Sequence, residues 1–304
     1  MEKIIGKIES INKGPNYCNT TILLEDKKHL NIKLELGQDV LIQMGKIFQF
    51  EIESFLREEV TQYKAISIKP IDEVGIDSDR MAELVQAFYE HAPLKISEIK
   101  KGIESFLKKI SNPVLKAVTE EVYKKYINQF YLHPAATKFH HAYFGGLSYH
   151  TYSMLKMIDP MVDIYPFLNR DLLYAATILH DVSKVDEMTG VDGEYTKEGQ
   201  LLGHIVMGAL EIDKAAVKLG LAESEEVMLL KHLMISHHGM LNFGSPKKPQ
   251  TGEALLLWYI DSIDSKFTEL GVALNSIEPG EFTQSINVLD KMRFYKPNLK
   301  NDKE

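Results

Sequence analysis

The sequence predicts a mainly α protein: an all-helical domain carrying a small N-terminal β-barrel. Two periodicities and a set of embedded polar residues predict it. Up to about residue 75 apolar residues alternate with polar ones, as Phe48, Phe50 and Ile52 do with Gln49, Glu51 and Glu53. From Arg80 onward they recur at three and four, as in Met81, Leu84, Val85 and Phe88. Within that helical part, histidines and aspartates sit in apolar surroundings where polar groups are costly.

Taken in order, the strand candidates are 3–8, 20–24, 30–34, 40–42, 48–53 and 65–69. Turn signals at Asn12-Lys13-Gly14-Pro15-Asn16 and Glu35-Leu36-Gly37-Gln38 separate them. Short strands at this density suit a closed, OB-fold-like barrel. Tyr17, Phe55 and Tyr63 are its candidate stacking residues, but residues 1–75 carry ten basic and twelve acidic side chains. A nucleic-acid-binding barrel and an accessory barrel both fit.

Residues 71–79 read as a linker, with Asp77, Ser78 or Asp79 capping a helix that begins near Arg80. Ile96, Ile99, Ile103, Phe106, Leu107 and Ile110 mark the next helix, and Pro113 opens another over 114–130. Met154, Met157 and Met161 read as core packing. Residues 172–179 are apolar apart from Thr177, which predicts a buried helix. It ends on His180, Asp181 and Lys184, which a continuing helix brings to one side. The expected domains are a barrel over 1–75, a helical domain over 76–290 and a polar tail over 291–304.

Burying His180 and Asp181 costs several kcal/mol unless a strong partner compensates, and a metal cation is such a partner. Further candidates surround them in the chain: His150, His204, the adjacent His237-His238, and Asp261. Imidazole and carboxylate without thiolate suit Mn, Fe, Co or Zn.

This order of histidines and aspartates resembles the HD-domain metallophosphohydrolase superfamily. The strings His140-His141-Ala142-Tyr143-Phe144-Gly145-Gly146-Leu147, Gly199-Gln200-Leu201-Leu202-Gly203-His204 and Ser236-His237-His238-Gly239 are more narrowly similar to the YhaM family of HD-domain 3′→5′ exoribonucleases. So is Gly244-Ser245-Pro246-Lys247 running on to Tyr259-Ile260-Asp261. The likeness is good over about 80–270 and loose before it. It implies an all-helical HD-domain in which His150, His180, Asp181 and Asp261 surround one metal. His204, His237 and His238 then hold a second, with Asp181 bridging. Two divalent cations are implied, Mn²⁺ first, with Co²⁺ or Fe²⁺ as alternatives. The implied reaction releases nucleoside 5′-monophosphates from the 3′ end of single-stranded RNA, with single-stranded DNA an open second substrate.

Asp181 and Lys184 are the catalytic candidates, Lys184 neutralising charge on phosphate oxygens. His141, beside His140 before a Gly-Gly turn, is a candidate phosphate donor. So are Lys247 and Lys248, in a loop over 242–252 between two presumed ligands. Asp264 is placed behind the ligands rather than among them. His29, His91, His133 and His232 read as ordinary packing or surface residues. Ser183 stands where relatives often carry glycine.

Composition bounds the rest. Apolar content of 44% and charged content of 26% describe an ordinary globular chain, and its single cysteine, Cys18, fits a reducing, cytoplasmic setting. No signal peptide or bilayer-length apolar run is legible, so no membrane partner is expected, while homo-oligomerisation stays open. The net charge of −8 opposes nucleic-acid binding, but residues 95–138 hold nine lysines and four glutamates. The pairs Lys100-Lys101, Lys108-Lys109 and Lys124-Lys125 are either a track for a phosphate backbone or solvated helix faces. Two other functions fit the same ligands: phosphohydrolase action on a nucleotide or cyclic dinucleotide, and nucleic-acid binding with a purely structural metal.

Overall fold

Alternating apolar residues in the first part of the chain build β1 (Glu2–Gly14), β2 (Tyr17–Leu24), β3 (His29–Leu34), β4 (Ile47–Arg57) and β5 (Val60–Pro70) in the computed structural model. The structure describes residues 2–15, 17–35, 37–57, 60–76, 78–89, 92–135, 144–189 and 194–299. The strands close in the order β1-β2-β3-β5-β4, every pair antiparallel except β3 with β5, which is the OB-fold-like barrel expected. Ile8, Ile22, Ile32, Phe50 and Ile52 fill its interior. Tyr17 and Phe55 face solvent, with Lys33 Nζ 5.1 Å from the Phe55 ring centre, while Tyr63 packs against the barrel core.

One expected strand is absent. Residues 38–41 form a 3₁₀ turn entered from Gly37 at φ +95°, and Asp39 binds Lys13 there at 2.5 Å. Val40 and Leu41 are exposed, so their apolar character does not reflect a place in the sheet.

The chain divides into two compact units, Met1–Glu90 and His91–Glu304. The first therefore runs past the strands and includes α1 (Ser78–Phe88), whose Leu84 and Phe88 pack with Ile47 and Ile71. Of the cap candidates, Asp77 lies outside the described residues.

The second unit contains α2 (Ile96–Lys109), α3 (Pro113–Phe130), α4 (Gly146–Ile164), α5 (Arg170–Leu179), α6 (Lys184–Glu187), α7 (Lys197–Leu219), α8 (Glu225–Ser236) and α9 (Gly252–Asn275). Helix α5 is central: residues 172–179 are all buried, and it packs against α2, α3, α4, α8 and α9. Each of its aliphatic side chains contributes about 1.5–3 kcal/mol of burial at most. Asn169 caps it, accepting from the Leu172 N–H at 3.0 Å. Asp171, in its first turn, accepts from the Ser111 and Asn112 N–H groups at 2.8 and 2.7 Å, and Asn112 in turn caps α3. The buried helix is thus fixed at its start, which sets where its other end points. Met154 is fully buried, with Met157 and Met161 packed on the same core.

Beyond α9 the chain expected as a tail is paired as far as Lys296, whose N–H and C=O bond Glu281 and Gly280, and Tyr295 bridges Phe282. Among the described residues no helix is long and apolar enough to cross a membrane.

Candidate metal centre

Helix ends and first turns bring the polar residues together. His150 lies in the second turn of α4, His180 and Asp181 follow the last residue of α5, and Lys184 opens α6. Within α7 His204 follows Gly203, whose φ of +72° breaks the helix at that point. His237-His238 follow α8, and Asp261 and Asp264 lie in α9. The expectation that one continuing helix carries His180, Asp181 and Lys184 is corrected: α5 ends at Leu179 and Lys184 returns across a turn. Its Nζ still reaches Asp181 Oδ2, at 2.8 Å.

Asp181 is the hub. Its Oδ2 lies 3.3 Å from His180 Nε2 and 3.9 Å from His150 Nε2. Its Oδ1 lies 3.3 Å from His204 Nε2 and 3.7 Å from His237 Nε2. Burial pushes the Asp181 carboxyl up, but Lys184 and His180 outweigh it and hold the pKa well below the usual carboxylate range.

What binds the far side of each ring fixes its tautomer. Nδ1 of His180 bonds the Thr177 carbonyl at 2.8 Å, and Nδ1 of His237 bonds the Met234 carbonyl at 2.7 Å. Nδ1 of His150 bonds Asp264 at 2.7 Å, and Nδ1 of His204 bonds both oxygens of Glu187 at 3.0 Å. Carbonyls and carboxylates only accept, so Nδ1 carries a proton in all four rings. In His204 and His237, which burial keeps neutral, Nε2 is then a lone pair.

Those lone pairs face a carboxylate oxygen, which is also an acceptor. Asp181 Oδ1, His204 Nε2 and His237 Nε2 are buried and have no hydrogen-bond partner among the described residues. Each such group costs about 1–3 kcal/mol, and acceptors facing one another add repulsion. A cation between them removes both penalties, so the residues present fit a metal ion. Asp181, His204, His237 and His238 offer donor atoms within 4.8 Å of one another, as do His150, His180 and Asp181. Asp261 joins the second group through His150, with Oδ1 3.3 Å from its Nε2. Burial opposes charge on His150, yet Asp261 and Asp264 lift its pKa to about 10.

The remaining candidates are placed differently. Lys247 and Lys248 are exposed, on a loop pinned at both ends: Ser245 Oγ accepts from the His238 N–H at 3.1 Å, and His232 Nε2 accepts from the Gln250 N–H at 3.0 Å. His232 therefore has a job that its sequence context did not suggest. His141, like His140 and His91, lies outside the described residues. His133 is buried, its ring nitrogens 2.9 and 3.1 Å from the Pro134 and Met188 carbonyls. In each lysine pair one member is engaged locally: Lys109 with Asp159 at 2.9 Å, Lys125 with Glu211 at 2.5 Å, and Lys100 over the Tyr131 ring.

Glu187 is the residue that sequence reasoning missed. Beside Asp186 it reads as a solvated acid, and its burial comes only from the packing of α7 against it.

The HD domain family matches residues 147–266, a span that includes every one of these candidate ligands. Among curated proteins, the chain is 40% identical to the 3′-5′ exoribonuclease YhaM of Geobacillus sp. (strain WCH70) over 294 residues, covering 95% of this chain and 90% of that one. It is 43% identical to the protein of the same name from Bacillus subtilis (strain 168), over 79% of this chain and 74% of that one. The Bacillus licheniformis protein is 45% identical, over 70% and 68%.

Proposed function

This chain belongs to the YhaM family of HD-domain proteins, a metal-dependent hydrolase family, and from that premise we propose that it shortens single-stranded RNA from the 3′ end. The observation that carries the hydrolytic centre is the convergence of Asp181 Oδ1, His204 Nε2 and His237 Nε2 without hydrogen-bond partners among the described residues. The substrate class comes from the relatives, which are named 3′-5′ exoribonucleases.

Two divalent cations are proposed: His150, His180 and Asp261 would hold one, His204, His237 and His238 the other, and Asp181 would be shared. Mn²⁺ is the proposed ion, and the thiolate-free donor set accords with it. When bound, such a pair supplies an activated water at neutral pH and stabilises the attacking and leaving oxygens at phosphorus. Asp181 is suited to bridging because its two oxygens face different histidines. Lys184 covers Asp181 Oδ2 and keeps a cationic edge on the site, where the non-bridging phosphate oxygens of the scissile bond are proposed to lie. Lys247 and Lys248, exposed on the loop anchored to His238 and His232, are proposed to meet neighbouring phosphates of the strand. A cytoplasmic location accords with one cysteine in 304 residues.

The test is incubation with Mn²⁺ and 5′-labelled single-stranded RNA beside Asp181→Ala. Expected is a ladder shortening from the 3′ end with the parent chain and none with the variant. Single-stranded DNA and a cyclic dinucleotide run in parallel. Intact RNA with a cleaved dinucleotide overturns the exonuclease reading, and RNA retained without cleavage overturns the enzyme.

A further inference from the structure

Glu187 makes three contacts to one residue. Its Oε1 accepts from the His204 backbone N–H at 3.0 Å, and both oxygens accept from His204 Nδ1 at 3.0 Å. The surrounding chain is shaped for this. Gly203, at φ +72°, interrupts α7 so that the next N–H bonds a side chain instead of the helix. Gly199 lets α7 close on α6, since a Cβ there meets the Glu187 carbonyl oxygen at 2.3 Å. Glu187 is buried, although it is an acid outside the ligand set, so its position has to be explained by what it holds.

Asp264 holds His150 in the same way, from α9 to α4, at 2.7 Å. His180 and His237 are instead held by the Thr177 and Met234 carbonyls, three residues back in their own chain. Each half of the centre therefore contains one ring fixed by a local carbonyl and one fixed by a carboxylate from another element, with His238 a further ring in the second half. A carboxylate at Nδ1 orients the ring and strengthens Nε2 as a donor, and losing such a partner costs about 10–100-fold in metal affinity.

We propose that Glu187 and Asp264 are positioning residues, one for each cation: Glu187 sets the affinity of the His204 position and Asp264 that of the His150 position. The inference rests on the two-cation reading above. It makes the affinities separately adjustable, with Asp181 the element common to both.

The test is equilibrium binding of Mn²⁺ alone to the full chain, with free Mn²⁺ counted by electron paramagnetic resonance. The parent chain is expected to bind two ions. Glu187→Ala and Asp264→Ala should each weaken one ion by about 10–100-fold and leave the other unchanged, and that remaining ion reports that the variant is folded. In a His204→Ala background, which retains the His150 position, adding Glu187→Ala should change nothing, whereas adding Asp264→Ala should weaken the ion that is left. Glu187→Gln keeps one acceptor and should recover part of the lost affinity. Fewer than two ions on the parent chain overturns the two-cation reading and this inference with it. Two ions on the parent chain, with Glu187→Ala weakening both or acting in the His204→Ala background, overturns the inference alone.

Discussion

Lys184 Nζ stands 2.8 Å from Asp181 Oδ2, with side chains 14% and 3% exposed. Burial works against the lysine charge, but Asp181 more than restores it, so the Lys184 pKa is raised. Lys184→Met leaves the Asp181 carboxylate without its nearest cation. The cation-free protein is expected to lose about 3–5 kcal/mol in urea unfolding, and Mn²⁺ to return part of that. A loss of the same size with and without Mn²⁺ argues that Lys184 supports the fold and not the charge of this centre.

The orphaned acceptors around Asp181 Oδ1 lead to a second expectation. Mn²⁺ at one hundred times its dissociation constant stabilises the folded chain by about 2.7 kcal/mol for one site. For a unit of this size that is roughly 5–10 °C in Tm. The shift should reverse with EDTA and be absent in Asp181→Asn, which keeps the shape but donates from one terminus. Calorimetric scans with equal Tm in Mn²⁺ and EDTA rule out the site.

A pH dependence resides away from the metal centre, in the α3 helix. Tyr123 is buried with its hydroxyl against that of Tyr131, and burial pushes its pKa up to about 12. A group whose folded pKa lies above its unfolded value stabilises fully below the unfolded pKa, near 10. That stability is lost as pH rises from there toward 12. Between those limits the parent chain should lose about 2–3 kcal/mol more than Tyr123→Phe. Parallel declines in alkaline urea titrations count against it.

The legible parts of the sequence are those that follow a local rule. The 172–179 run predicts a buried helix that delivers His180 and Asp181 because burying that many apolar side chains leaves no other arrangement. Period-two alternation finds most of the barrel, yet misplaces 40–42, because three apolar residues outside a paired register are insufficient to make a strand. His150 and His204 are recognisable by their apolar surroundings. Glu187 is not, since an acid beside Asp186 looks solvated until α7 closes over it. Ser245, buried under the His238 N–H, is hidden in the same way by tertiary packing.

The rim lysines give the last prediction. Lys247 and Lys248 are exposed, on a loop fixed by Ser245 at one end and Gln250 at the other, which ties their segment to the His238 backbone. Contacts to a flexible phosphate backbone are electrostatic and sequence-independent. Each one lost from a single strand reduces the slope of log affinity against log salt by about 0.7. The Lys247→Ala, Lys248→Ala double variant should therefore raise KM for single-stranded RNA several-fold at low salt, with kcat near the parent value and the salt slope lower by roughly 1.4. Uniform binding removed in this way lowers kcat/KM through KM alone. A fall in kcat at unchanged KM shows instead that the loop shapes the metal centre through Ser245 and His238, and the lysines then have no part in holding RNA.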